Sequence, residues 1–152
     1  SVQLFYDGGT NSTPKLATSA SGVTVDGNIG VGTASASFPI HVFNDDTGTN
    51  NQVRIEQDGT GDAVLGFALT GTRAYSLGID NSDSDKFKIS TATNLHTNTL
   101  FTIDGANQRV GINNASPSHA LDVSGSINST GTISENGVTI TSKATALSLV
   151  FS

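Results

Sequence analysis

The sequence predicts an all-β fold, and three observations carry that expectation. Short groups of β-branched and aromatic residues recur along the chain, spaced two apart and bounded by Gly, Asn, Asp or Ser. Gly, Ser, Thr and Asn make up close to half of the 152 residues, and only 35% are hydrophobic, so turns are plentiful and a large core is not. Helical periodicity is nearly absent. The only helix-like spots are single turns such as SPSHAL, where Ser116 can cap and Pro117 can open a turn with its fixed φ. Charged residues are 13% of the chain and apolar residues are spread throughout, which separates it from disordered sequences.

Taken in order, strands are expected at 2–6, 22–25, 40–43, 52–57, 63–69, 74–79, 86–90, 100–103, 109–112, 120–123 and 137–141. Between 52 and 103 the alternation is strongest. Val53 and Ile55, then Tyr75, Leu77 and Ile79, then Phe87 and Ile89, then Phe101 and Ile103 stand two apart, which places each set on one face of a sheet. With DGTGD and DNSDSD as polar tips, this stretch is expected to form a small antiparallel sandwich of roughly fifty residues, marginal alone at that size. The flanks, 1–44 and 105–152, have short strands broken by Gly, Ser and Thr and few large side chains, so neither can build a core. Ordered strands without a core need partner chains, most simply three copies about a common axis, each strand completing a neighbour's sheet.

One element occurs twice. Shifting IGVGTASASFPIHV (29–42) by 81 positions onto VGINNASPSHALDV (110–123) pairs Gly30 with Gly111, Ala34 with Ala115, Ser35 with Ser116, Ser37 with Ser118 and Val42 with Val123. Ile29/Val110, Val31/Ile112 and Ile40/Leu121 keep apolar character, and VTVDG (23–27) and FTIDG (101–105) precede the two copies. Such repetition suggests modules in series.

Several function classes are set aside by composition. Without cysteine there is no disulfide, thiolate site or cysteine nucleophile. No apolar run approaches a membrane span, and no membrane insertion is expected. The net charge of −6, with seven dispersed Lys and Arg, gives no electrostatic footprint for nucleic acid. Because the sequence opens on Ser1, it is expected to be a piece of a longer product.

The succession FTIDGANQRVGINNASPSHALDVSGSINSTGTI resembles a repeat of phage tail fibres and related fibre proteins: a strand ending in Asp-Gly, a Val-Gly-Ile strand, a Ser-Pro turn, a Leu-Asp-Val strand and a Gly-Ser-Ile continuation. LFYDGGTNSTPKLATSASGVTVDGNI is similar to another fibre-shaft phrase, and VRIEQDGTGDAVLGFALTGTRAYSLGIDNSDSDKFKIS resembles small β-domains found between such repeats. Two departures stand out. Asn113 and Asn114 replace the usual Gly-Thr, and Ala36 replaces the turn proline of the first copy, with Pro39 three positions later.

The resemblance implies an all-β, elongated homotrimeric fibre with short shaft strands flanking a small antiparallel β-sandwich. Its parts would be an N-terminal shaft segment with the first repeat at 1–44, the sandwich bead at 45–104, and the second repeat with C-terminal shaft strands at 105–152. It further implies a virion location, partners among other fibre or virion proteins, and a host cell-surface glycan or protein as the attached target. Fibres of this kind often carry a C-terminal intramolecular chaperone cut off after a serine, with which the TALSLVFS ending at Ser152 is compatible. An alternative reading is the subunit of an extracellular filament or capsid-decorating spike, joined by strand donation from SVQLFY or TALSLVFS.

Candidate chemistry is thin. GNIGVG (27–32) lacks the dinucleotide order and no long helix follows to hold a phosphate, so its glycines are expected to serve turns or close approach. His41, His96 and His119 have no mutual ligand spacing; a metal would need a ring of three imidazoles from three copies. Asp45 with Asp46, Asp58 with Asp62, and Asp80, Asp83 and Asp85 do not fit a calcium loop and are expected as solvated loop tips. Glu56 and Glu135 are the only glutamates and aromatic platforms are few, which disfavours a glycan-cleaving spike. Acceptor motifs at Asn11, Asn114 and Asn128 are expected by chance in such a composition. The expectation is a non-enzymatic protein with no catalytic, cofactor-binding or metal-ligating residues and no cofactor.

Overall fold

A computed structural model of the chain describes residues 3–4, 15–45, 47–49, 51–136 and 138–139. It has two compact units, Ser1–Arg54 and Ile55–Ser152. The described residues are all-β, apart from one 3₁₀ turn at Asn81–Asp83.

In the first unit, β1 (Gln3–Leu4), β2 (Leu16–Ser19) and β3 (Gly22–Val25) form an antiparallel sheet in that order. The β2–β3 hairpin is continued by Asp26 N–H donating to the Lys15 carbonyl at 3.0 Å and by a Lys15–Asp26 ion pair at 2.9 Å. Strands β4 (Ile29–Val31) and β5 (Ile40–Val42) form a separate parallel pair.

The second unit is built on one six-stranded sheet. Its strands are β6 (Ala63–Leu69), β7 (Arg73–Asp80), β8 (Lys86–Ser90), β9 (Thr99–Asp104), β10 (Arg109–Ile112) and β11 (Leu121–Val123), in chain order across the sheet. All neighbours are antiparallel except β10 and β11. Short links make each strand pair with the next, and a bulge lies at Ile89/Ser90. A two-stranded hairpin, β12 (Ser134–Glu135) and β13 (Val138–Thr139), follows.

Three expectations are corrected. The stretch expected as a sandwich is a single sheet, because every strand joins one continuous ladder and none is left to form a second layer; β10 and β11 extend that ladder past residue 104. Residues 52–57 form no strand: Val53 and Ile55 alternate but find no ladder partner, and stand 68% and 47% exposed. SPSHAL makes an irregular bend rather than a helical turn, its backbone held by side chains instead of by helical hydrogen bonds. The strand expected at 137–141 is described only at Val138–Thr139, and that at 2–6 only at Gln3–Leu4.

The two repeat copies fold alike and share the hydrogen bonds that frame the loop. Each places two parallel strands side by side with eight residues between them, 32–39 and 113–120, where parallel pairs usually need a crossover of a dozen or more. Ile29 N–H donates to Pro39 O at 2.8 Å and Val110 N–H to Ala120 O at 2.9 Å; Phe43 N–H donates to Val31 O at 2.8 Å and Ser124 N–H to Ile112 O at 3.0 Å. Side chains of different type fill equivalent roles. Asn28 Nδ2 donates to Ala36 O where Arg109 Nη1 donates to Pro117 O, and His41 Nδ1 accepts the Ser37 N–H where Asp122 Oδ2 accepts that of Ser118.

Both departures from the fibre-repeat pattern have a physical basis. The first loop residue is left-handed in each copy, Gly32 at φ 73° and Asn113 at φ 53°, and Asn is among the few residues that tolerate this region. Ala36 replaces the turn proline at a position whose carbonyl, not its ring, is used.

Gly111 lies directly under this loop, and a methyl group there would collide with the Asn114 carbonyl oxygen. Gly111→Ala is expected to cost about 1–3 kcal/mol, seen as a lowered urea midpoint, because the backbone must shift to admit the methyl. Gly59→Ala, with open space around it, is expected to leave the midpoint unchanged within error.

Candidate functional site

The ladder registers place apolar residues in unbroken rows across the sheet. One row runs Leu65, Leu77, Ile89, Phe101, Ile112, Val123, and the next runs Ala63, Ile79, Phe87, Ile103, Val110, Leu121. A third, shorter row is Phe67 beside Tyr75. The opposite face carries Ser76, Asp80, Lys86, Lys88, Ser90, Thr102, Asp104 and Arg109, with Gly78 and Gly111 between them.

Ordinarily the apolar face of such a sheet is covered. Here the polar face is covered. Ser76, Asp80, Lys88, Ser90, Thr102 and Asp104 are all buried, whereas no residue of the two apolar rows is. Phe67 is 55% exposed, Leu69 71% and Leu121 60%. Among the described residues Leu95 is the only large apolar side chain in the buried class, and it sits in the 91–98 loop on the polar side.

The hydrogen bonds explain why the loops choose that side. Ser76 Oγ donates to Ala92 O at 2.8 Å, Ser90 Oγ to Asn94 O at 2.6 Å, Lys86 Nζ to Ala115 O at 3.3 Å and Arg109 Nη1 to Pro117 O at 3.1 Å. Irregular backbone has carbonyls that no ladder satisfies, and the polar face supplies the donors. An apolar face supplies none.

At the centre of the polar face is an ion cluster. Lys88 Nζ lies 2.8 Å from Asp80 Oδ2 and also contacts Asp83, while Lys86 Nζ reaches Asp83 Oδ1 at 2.8 Å. Ser82 Oγ donates to Asp80 Oδ1 at 2.8 Å. His96 bridges the edge of the cluster, with Nε2 3.1 Å from Asp62 Oδ2 and Nδ1 3.4 Å from Asp80 Oδ2; Asp62 is fixed by the Asn81 N–H at 3.0 Å. Burial pushes the Asp80 carboxyl up, but hydrogen bonds from Lys88 and Ser82 more than offset it and hold the group below its ordinary 3.8. Asp83 is likewise held low, burial being outweighed by Lys86 and Lys88. Burial pushes the Lys88 ammonium down, and bonds to Asp80 and Asp83 reverse this and lift it above its ordinary 10.5.

Candidates named from the sequence are thus sorted by the fold. Asp62, Asp80 and His96, 34 residues apart at the extremes, bring ligand atoms within 4.8 Å of one another. Asp80 Oδ2 already accepts the Lys88 ammonium, so a metal ion there would compete with a fixed positive charge. Asp80 and Asp83 are structural ion-pair members rather than the solvated loop tips expected, because β8 lays two lysines beside them. Asp45, Asp58, Asp85 and Glu56 are exposed, and Asp46 and Asn11 lie outside the described residues.

His41 packs edge-on between Phe38 and Phe43, ring centroids 6.0 and 6.5 Å away, and His119 is exposed beside Ser118. Asn114 Oδ1 accepts the Ser116 N–H and Asn128 is exposed. In GNIGVG, Gly30 underlies the Thr33 carbonyl and Gly32 takes the left-handed turn, which are backbone roles.

The alternation DKFKIS contained the signal for the cluster: it puts Lys86 and Lys88 opposite Phe87 and Ile89. Which face would be covered was not in it.

No protein-family model and no curated protein sequence matches this chain. Among the described residues no helix is long and apolar enough to cross a membrane.

Two measurements check the cluster. Lys88→Met leaves Asp80 charged and buried without its partner, and is expected to cost on the order of 3 kcal/mol in urea unfolding, whereas Asp80→Asn with Lys88→Met costs less than that single change. On pH, the carboxylates have folded values below 3.8, so their contribution is present above pH 3.8 and is lost as pH falls beneath it. Lys88 has a folded value above 10.5, so its contribution is present below pH 10.5 and is lost as pH rises past it. Thermal midpoints are expected to drop as pH falls below the lower limit and as it rises above the upper one.

Proposed function

We propose that the chain is a non-enzymatic structural segment of a homotrimeric phage tail fibre or similar virion appendage, serving as a spacer that holds an attachment tip away from its base. The carrying observation is the inverted sheet: its covered face is polar, its apolar face is open, and among the described residues Leu95 is the only large apolar side chain in the buried class. Supplying an apolar core from other copies turns three marginal chains into one stable body. The repeated β4–β5 and β10–β11 elements support the same reading, since both reproduce the fibre-like phrase with one hydrogen-bond scheme.

The mechanism is mechanical and multivalent. A trimeric spacer presents three copies of whatever it carries at a set distance, and presentation in threes raises the avidity for a host cell-surface glycan or protein without any new contact. Partners at the ends would be other fibre or virion proteins.

Light scattering coupled to size-exclusion chromatography tests the reading. A discrete species with the mass of three chains is expected. A stable folded monomer would contradict it, and filaments of indefinite length would favour strand donation instead.

A further inference from the structure

We infer that the open face of the six-stranded sheet is the contact between copies, and that three sheets close around an axis lined by Phe87, Ile89, Phe101 and Ile103. This rests on the homotrimer proposed above and names the surface that makes it. A second copy of the chain is the occupant for three reasons.

The first is chemistry. Twelve side chains fill the two complete rows and none is charged or polar; the charged side chain on this face of β6 and β7 is Arg73, at the margin beside Leu69, so over the rows a charged or polar partner has nothing to pair with, whereas a second apolar face matches them. The second is area. Leu65, Phe67, Leu69, Tyr75, Ile79, Ile103, Ile112 and Leu121 are each between 38% and 71% exposed. Half-exposed side chains of this size carry on the order of 100 Å² each. Together they approach the ~800 Å² per partner of a standard stable interface.

The third reason is shape. Six strands at ~4.8 Å spacing make a sheet about 24 Å wide, and three such sheets closed as a triangular prism put the middle of each sheet about 7 Å from the axis. In a two-sheet sandwich each face fills only about 5 Å, uniformly across its width. The two rows are not uniform. Their only aromatics, Phe87 and Phe101, stand on the central strands β8 and β9, where a prism has the most depth to fill. The outermost strands β6 and β11, where converging sheets leave the least, contribute only aliphatic side chains to these rows, Ala63 with Leu65 and Leu121 with Val123. A taper of this kind suits three copies rather than two.

The absence of cysteine makes thiol reactivity a direct test. Ile89→Cys, Ile103→Cys and, as an exposed control on the β9–β10 turn, Asn107→Cys are each reacted with a maleimide in the native assembly and again in urea. Relative to their rates in urea, the two central thiols are expected to react at least ~100-fold more slowly than Asn107→Cys. Central thiols that label as fast as the control, in a species that light scattering shows to be a trimer, would overturn this surface and leave the trimer standing. A monomer would overturn both. Hydroxyl-radical footprinting of the unsubstituted protein probes the same surface without a variant: protection of Phe87, Phe101 and Leu65 supports it, and oxidation of them at the level of the 64%-exposed Phe38 overturns it.

Discussion

A sheet has two faces, and among the described residues the loops cover only one. The hydrogen-bonding needs of those loops decide which. Residues 91–98 and 113–120 carry carbonyls that no ladder satisfies, and Ser76, Ser90, Lys86 and Arg109 supply the donors from the polar side. Once the loops are placed there, Asp80 and Lys88 are sealed beneath them as a charge pair, and Gly111 becomes the place where loop backbone passes close over strand backbone. The apolar rows are left over by the same choice. Everything proposed for this protein, from its oligomeric state to its spacer role, depends on that division.

Burying charge in place of hydrocarbon has a consequence for specificity. A buried ion pair contributes little net stability over an apolar substitute, but it penalises any arrangement that separates the partners. The Asp80, Asp83, Lys86, Lys88 cluster therefore holds the 81–85 link and the β7–β8 register in one geometry. A flat apolar face presented in one fixed geometry is what ordered self-association requires; the same face on a fluctuating sheet would aggregate. Open edges at β6 and β11 raise that hazard further, and packing copies together is the simplest way to limit it.

Much of the fold was legible in the sequence. Strands at 22–25, 63–69, 86–90 and 109–112 stand where alternation placed them, and Tyr75, Leu77, Ile79, Phe87, Ile89, Phe101 and Ile103 do share one face. The two repeat copies, 81 positions apart, were legible from their matching residues, but their hydrogen bonds were not, because side chains of different type fill the equivalent roles. Other features were not. Val53 and Ile55 alternate without becoming a strand, since alternation shows that a segment suits a ladder and says nothing about whether a partner exists. Alternation with polar tips pointed to a sandwich, but it assigns strands to faces without saying how many layers they form, and the described strands of that stretch all join one sheet. The ion cluster was hidden for a different reason: Asp62, Asp80, Lys88 and His96 come from two strands and two loops, and each alone resembles a solvated side chain.

If the apolar core forms between copies, as proposed, folding and association are one event. Differential scanning calorimetry across a hundredfold range of protein concentration tests this most directly. A single transition is expected whose midpoint rises with concentration, as mass action requires when the folded state is an oligomer and the unfolded state a monomer. A midpoint independent of concentration, with the folded species monomeric throughout, would contradict it.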